Sequence, residues 1–292
     1  PSQPAFSGRG LVVGYVQSGK TANMLAVIAK AVDAGYRFVI ILAGLTNSLR
    51  MQTQGRFQSD LRDRNPDAWH MHTSYQDAGD FRELSNGWFS GMDLTQVAVV
   101  KKNVAPLNHL LDALRLTPER LRRRMPVLVI DDECDQASVN ASGSEFDPSA
   151  INKLIRELLN ELPCAQYVGY TATPFANVLV NPQTPSGQLD DLYPRDFITA
   201  LPLPLGYFGA ETLFGRDPGD AGDELPEERG LDVMREVPAA DVREVQPPSA
   251  KDRLTFQPSI PPSLDRALRY FILATAARYV RGQQREHCSM LV

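Results

Sequence analysis

Gly14, Gly19, Lys20 and Thr21 have the types and spacing to hold phosphate. The run Leu11-Val12-Val13-Gly14-Tyr15-Val16-Gln17-Ser18-Gly19-Lys20-Thr21 fits the P-loop pattern of glycine, four residues, then Gly-Lys-Thr. In such a loop the backbone N–H groups of Gln17, Ser18 and Gly19 turn inward onto phosphate oxygens, and the N-terminus of the next helix adds a favourable dipole. Gly14 and Gly19 permit the torsions and close approach that a Cβ forbids. Lys20 would reach the terminal phosphates and the Thr21 hydroxyl would ligate Mg²⁺. ATP with Mg²⁺ is therefore the expected cofactor. A second constellation, Val127-Leu128-Val129-Ile130-Asp131-Asp132-Glu133-Cys134-Asp135, is an apolar strand ending in acids. Behind a P-loop, Asp132 would join Thr21 in the Mg²⁺ shell and Glu133 would orient the attacking water, making Lys20 and Glu133 the catalytic pair. Asp135 closes an Asp-Glu-x-Asp box, and Asp131 takes the metal role if the register shifts by one. Cys134 reads as a packing residue.

These residues need a parallel sheet to carry them. Short apolar runs at Leu11–Val13, Phe38–Ala43, Val97–Val100, Val127–Ile130 and Tyr167–Tyr170 read as strands. They alternate with helical periodicity at Thr21–Ala34, Ser48–Leu61, Pro106–Leu114 and Pro148–Leu162, the last with Asp147 as N-cap. That alternation predicts an α/β fold with helices on both faces of the sheet. Residues 63–95 are polar and read as an irregular excursion. An acidic, Pro- and Gly-rich stretch over 215–262 reads as a linker or insertion, dividing 1–214 from 263–292. Ser263–Gly282 reads as an amphipathic helix, and Cys288–Val292 as a buried strand. A chain without an initiator Met that closes on such a strand is expected to be a piece of a longer protein.

At 292 residues and a net charge of −5, the composition is that of a soluble globular chain. No apolar run approaches the ~20 residues that span a bilayer, so no membrane partner is expected, and the cysteine usage suits a reducing cytoplasm, the expected location. The three cysteines, Cys134, Cys164 and Cys288, make neither a disulfide framework nor a metal spacing.

Tyr167-Val168-Gly169-Tyr170-Thr171-Ala172-Thr173-Pro174 follows one strand and one helix after the acidic box. P-loop, Asp-Glu-x-Asp and Thr-Ala-Thr in this order resemble the superfamily 2 helicases. That likeness implies that Thr171 and Thr173 couple the γ-phosphate site to nucleic acid. Thr46 and Gln52, in Leu45-Thr46-Asn47-Ser48-Leu49-Arg50-Met51-Gln52, fall where these helicases grip the backbone; a plain N-cap and exposed helix is the other reading. Residues 13–21, 130–135 and 169–175, with Tyr193-Pro194-Arg195-Asp196-Phe197 and Ser289-Met290-Leu291-Val292, more closely resemble the Z-one domain proteins. These are bacterial superfamily 2-type ATPases, often labelled endonucleases and found near restriction or phage-defence genes. The resemblance implies two RecA-like lobes with ATP between them, this chain holding the first lobe and the start of a truncated second. Its arginine finger would be missing, so the chain would bind ATP and hydrolyse it poorly. DNA translocation or remodelling is the implied activity, with DNA and nuclease, methyltransferase or ATPase subunits as partners. A nucleotide-gated assembly module and the ATPase subunit of an endonuclease are the alternatives. No Pro-Asp…(Asp/Glu)-x-Lys nuclease constellation is found.

Lesser features remain. His70-Met71-His72 reads as a surface pair rather than a metal site. Arg120, Arg122, Arg123 and Arg124 read as a solvated helix end, with a phosphate contact as the alternative. Lys101 and Lys102 leave a strand on the side expected to meet nucleic acid. Trp69 and Trp88 either pack on the lobe or stack bases.

Overall fold

Apolar runs become strands because a fully apolar strand can be covered on both faces. The computed structural model describes residues 5–82, 94–138, 148–179, 190–216 and 228–292. By contacts the chain divides into two units, Pro1–Tyr207 and Phe208–Val292. In the first, β1 (Phe6–Val13) leads into α1 (Lys20–Asp33), and β2 (Phe38–Ala43) into α2 (Asn47–Phe57). A short strand β3 (Trp69–Met71) precedes β4 (Thr95–Lys101), then α3 (Val104–Leu116) and α4 (Glu119–Arg122). The rest of the unit is β5 (Val127–Asp132), α5 (Pro148–Asn160), β6 (Cys164–Thr171), α6 (Phe175–Val178) and β7 (Phe197–Ala200). The seven strands form one sheet in the order β3-β4-β2-β5-β6-β1-β7, and every neighbouring pair is parallel.

Helices cover both faces. Phe38, Ile40 and Leu42 of β2 pack with Leu107 and Leu110 of α3 and Ile151, Ile155 and Leu158 of α5. Val39, Ile41 and Ala43 turn the other way, toward Met24, Leu25 and Ile28 of α1 and Phe57 of α2. This two-sided burial makes the strand runs continuously apolar, and it accounts for the legibility of β2, β4, β5 and β6.

Several expectations change in detail. The segment 63–95 is not wholly irregular, because Trp69–Met71 pairs with Thr95–Val97 as a sheet edge. Three residues between a 3-10 turn and a loop leave too little periodicity to see. The helix expected over Ser48–Leu61 ends its α-form at Phe57, and Gln58–Arg62 closes as a π-turn. Nor is α2 an ordinary exposed helix. Arg50 and Gln54 are fully buried in it, with Arg50 donating to Ser74 O at 3.0 Å and to Gln76 O. Asp147, Trp88 and residues 217–227 of the acidic stretch lie outside the described residues.

The second unit holds α7 (Ala210–Phe214), an antiparallel pair β8 (Gly215–Arg216) and β9 (Glu228–Arg229), α8 (Ala239–Val245) and α9 (Pro262–Val280). Along α9, Leu264, Leu268 and Phe271 are half-buried, whereas Ile272 and Leu273 are exposed. Cys288–Val292 forms no strand, and Leu291 and Val292 are exposed. A strand needs a neighbour to satisfy its backbone, and none of the described residues pairs with this run. No helix among the described residues is long and apolar enough to cross a membrane.

His72 is half-buried rather than a surface residue, 2.9 Å from Gln96 Oε1. Burial first, and the charge of His70 second, push its pKa down to about 4. A histidine depressed in the folded state contributes stability above its ordinary value of about 6.5, and loses it as the pH falls toward 4. Thermal melts of His72→Gln should therefore fall less steeply than wild type between pH 6.5 and 4. Equal slopes would exclude His72 as the acid-sensitive group.

Candidate functional site

Parallel register aligns the strand ends. Val13 pairs with Thr171, Asp132 with Tyr170, Leu42 with Asp131 and Ala43 with Lys101. Five strand ends thus meet at the carboxyl edge of the sheet, the usual ligand-binding edge of open α/β sheets.

The loop after β1 is closed by backbone and lysine. Gly14 N donates to Thr171 O at 3.0 Å. A Cβ on Gly14 would lie 2.9 Å from Lys20 Cγ and 3.1 Å from Ser18 Oγ, so any larger residue there would have to displace the Lys20 side chain. Gln17 at φ 57° and Gly19 at φ 88° turn the chain into α1. Lys20 Nζ donates to Gly14 O at 3.2 Å and Tyr15 O at 2.9 Å. From beyond β7, the Tyr207 hydroxyl donates to Val16 O at 2.6 Å and its ring lies 5.5 Å from that of Tyr15.

The acidic strand end splits its two aspartates between opposite faces, as strand alternation requires. Asp131 is fully buried; it meets Lys102 Nζ at 3.0 Å and accepts from the Tyr167 hydroxyl at 2.6 Å. It is therefore excluded from the metal role left open for it. Lys102 is buried too, so it does not lie on a nucleic-acid face. Its ammonium also donates to the carbonyls of Asp132 at 2.8 Å and Glu133 at 2.7 Å. Glu133, its carbonyl so held, stands at φ 55°, a left-handed conformation uncommon for a non-glycine residue.

Asp132 faces the cleft. Burial, then the neighbouring Glu133, raise its pKa, while Lys102 and Lys20 oppose the shift. Asp135 accepts from both Thr171 Oγ1 and Thr173 Oγ1 at 2.7 Å, and Thr173 N donates to Thr171 Oγ1 at 2.9 Å. A single carboxylate thus ties the acidic turn to the Thr-Ala-Thr turn, a role that motif spacing alone did not give Asp135.

Gln17, Ser18, Gly19, Lys20, Thr21, Asp132, Glu133, Thr171 and Thr173 all line one cleft of about 850 Å³. Gly14 is not among the residues lining it. Gln52 is on the wall, joined by Thr53 and Arg56 of the same helix, which sequence reasoning missed. Thr46 is the N-cap of α2, its hydroxyl accepting from Leu49 N at 3.3 Å. Lys101 Nζ donates to Asn47 Oδ1 at 2.7 Å. Trp69 packs edge-on against Phe57. Arg122 and Arg123 are engaged by Glu161 and Glu119, and Cys134 is buried with its thiol pKa raised by burial.

The edge suits a phosphate with a divalent cation. No side chain caps the N-terminus of α1, leaving its first-turn amides available to an anion. Ser18 Oγ is buried without a hydrogen-bond partner in the loop. Asp132 carries a charge that burial disfavours and a cation would relieve. Among the described residues no cluster of three His, Cys, Asp or Glu could hold a metal by itself. Thr21 and Asp132 would hold Mg²⁺ with ligand oxygens and water, its usual manner of binding beside phosphates. No family model matches this chain, and no curated protein matches it.

Lys102→Ala leaves Asp131 buried and unpaired, which should cost about 3–5 kcal/mol in urea unfolding, whereas Lys102→Met with Asp131→Leu should recover much of it. Asp132→Asn should raise the melting temperature at pH 7. A carboxyl whose pKa is raised on folding favours the folded state only when protonated, so ionisation at neutral pH opposes folding. An unchanged or lower melting temperature would contradict this reading of the site.

Proposed function

We propose that residues 1–214 are the RecA-like ATP-binding lobe of a superfamily 2 helicase-like ATPase, acting in DNA translocation or remodelling in a bacterial restriction, phage-defence or repair system. Residues 215–262 would link it to the start of a second lobe at 263–292. The observation that carries the reading is the meeting of Lys20–Thr21, Asp132–Glu133 and Asp135–Thr171–Thr173 at one sheet edge, in one cleft.

In this reading Gln17, Ser18 and Gly19 cradle the phosphates with their backbone amides. Lys20 exchanges the carbonyls of Gly14 and Tyr15 for β- and γ-phosphate oxygens. Bound Mg²⁺ would supply charge neutralisation between those phosphates, held by Thr21 and Asp132. Glu133, fixed in place through its backbone by Lys102, orients the attacking water. Phosphoryl transfer depends mostly on position and charge stabilisation, which a rigid edge provides. Asp135 and its two threonines move with the cleft and carry its state toward the DNA side, where Thr46, Gln52 and Lys101 are the candidate contacts.

Lys20→Ala should abolish binding of a fluorescent ATP analogue. Glu133→Gln should bind it within severalfold of wild type yet, in the full-length protein, lower turnover by about a hundredfold or more, the scale of a lost catalytic group. Full turnover in both variants rejects the proposal. Stimulation of hydrolysis by DNA supports a motor, and stimulation by a protein partner alone supports the assembly module.

A further inference from the structure

Midway along β1, Arg9 is out of place. It is only 7% exposed, and its Nε is buried without a hydrogen-bond partner among the described residues. The nearby acids are engaged elsewhere. Asp190 pairs with Arg195 at 3.1 Å, and Asp196 accepts from Arg9's own backbone N and lies 3.7 Å from Arg195. Asp191 accepts from Asn152 and from Leu192 N. No described carboxylate lies within ion-pair distance of the Arg9 guanidinium. Burial first, and the like charge of Arg195 second, lower its pKa, only partly offset by Asp190. A buried charge without a partner costs several kcal/mol, so a protein that retains one generally has an occupant for it.

Beside Arg9 a pocket of about 480 Å³ opens between the start of β1 and the end of α5. Arg156, Asn160 and Asp190 line it with Arg9, and Leu159 and Leu162 form apolar wall. Arg156 Nε donates to Asp190 O at 3.2 Å, which holds that side chain over the pocket. Five residue steps of extended chain, about 16 Å, separate Arg9 from Gly14.

We infer that this pocket is an oxyanion site, separate from the cleft, in which a phosphate or carboxylate of a small molecule pairs with the Arg9 guanidinium and Arg156, its apolar part against Leu159 and Leu162. Guanidinium suits either group because its planar fork meets two oxygens at once. The inference does not rest on nucleotide binding at the cleft.

Because the cleft would also take phosphate, the test uses full-length Lys20→Ala as background. Its melting temperature is followed with inorganic phosphate, and separately with acetate, against chloride at equal ionic strength. A saturable rise with either anion is expected, absent from Lys20→Ala/Arg9→Met, and shifted at least tenfold in half-saturation by Arg156→Ala. Arg9→Met should also melt higher than its parent without anion, since it removes the orphan charge; a folding failure of that variant leaves Arg156→Ala to decide. A rise that survives both substitutions, or no rise with either anion, overturns the site.

Discussion

The Lys102 side chain is closed off from the surface, and three oxygens from the end of β5 and the turn after it hold its ammonium. One belongs to Asp131, on a strand separated from its own by β2; the others are the carbonyls of Asp132 and Glu133. Buried ion pairs rarely raise net stability, because desolvation consumes most of the Coulomb gain. This one has a geometric effect. It locks the end of β5 against the end of β4, and with them the backbone from which Asp132 and Glu133 project. Tyr167, donating to the other Asp131 oxygen, extends the lock to β6. The cleft's acidic wall is therefore fixed from beneath, by groups that never touch it.

The same edge is tied above the sheet by a separate set of bonds. Gly14 reaches β6 through Thr171 O, Asp135 reaches it through two threonine hydroxyls, and the Tyr170 hydroxyl donates to Asn23 of α1 at 2.9 Å. All of these converge on or just beyond β6, the strand between β1 and the acidic strand β5. Movement of either neighbour must be felt there.

How far this was legible in the sequence varies with burial. Runs such as Phe38–Ala43 and Val127–Ile130 are covered on both faces, so they announce themselves as strands. Trp69–Met71 and Phe197–Ala200 are short edge strands, half-exposed or exposed, and carry no such pattern. The residues of the cleft were readable because loop, acids and threonines each sit at a strand end and parallel register does the rest. Lys102 was misplaced because two consecutive lysines suggest solvent. Yet alternation along a strand sends neighbours to opposite faces, and the Asp131-Asp132 pair obeys the same rule. Pairing the inward lysine with the inward aspartate was an available inference. Arg50 and Arg9 were not accessible that way, since a buried arginine looks like a surface one until its surroundings are known.

Lys20 carries one more consequence. Bonded to the carbonyls of Gly14 and Tyr15, it keeps the loop shaped with a partner drawn from the loop itself. An arriving anion need not organise a disordered segment; it competes for an ammonium that is already seated. The equilibrium is an exchange of like for like, so its driving force is the difference between two sets of hydrogen bonds rather than the whole of one. Such a loop would gain less from a bound anion than one whose lysine had no partner to give up.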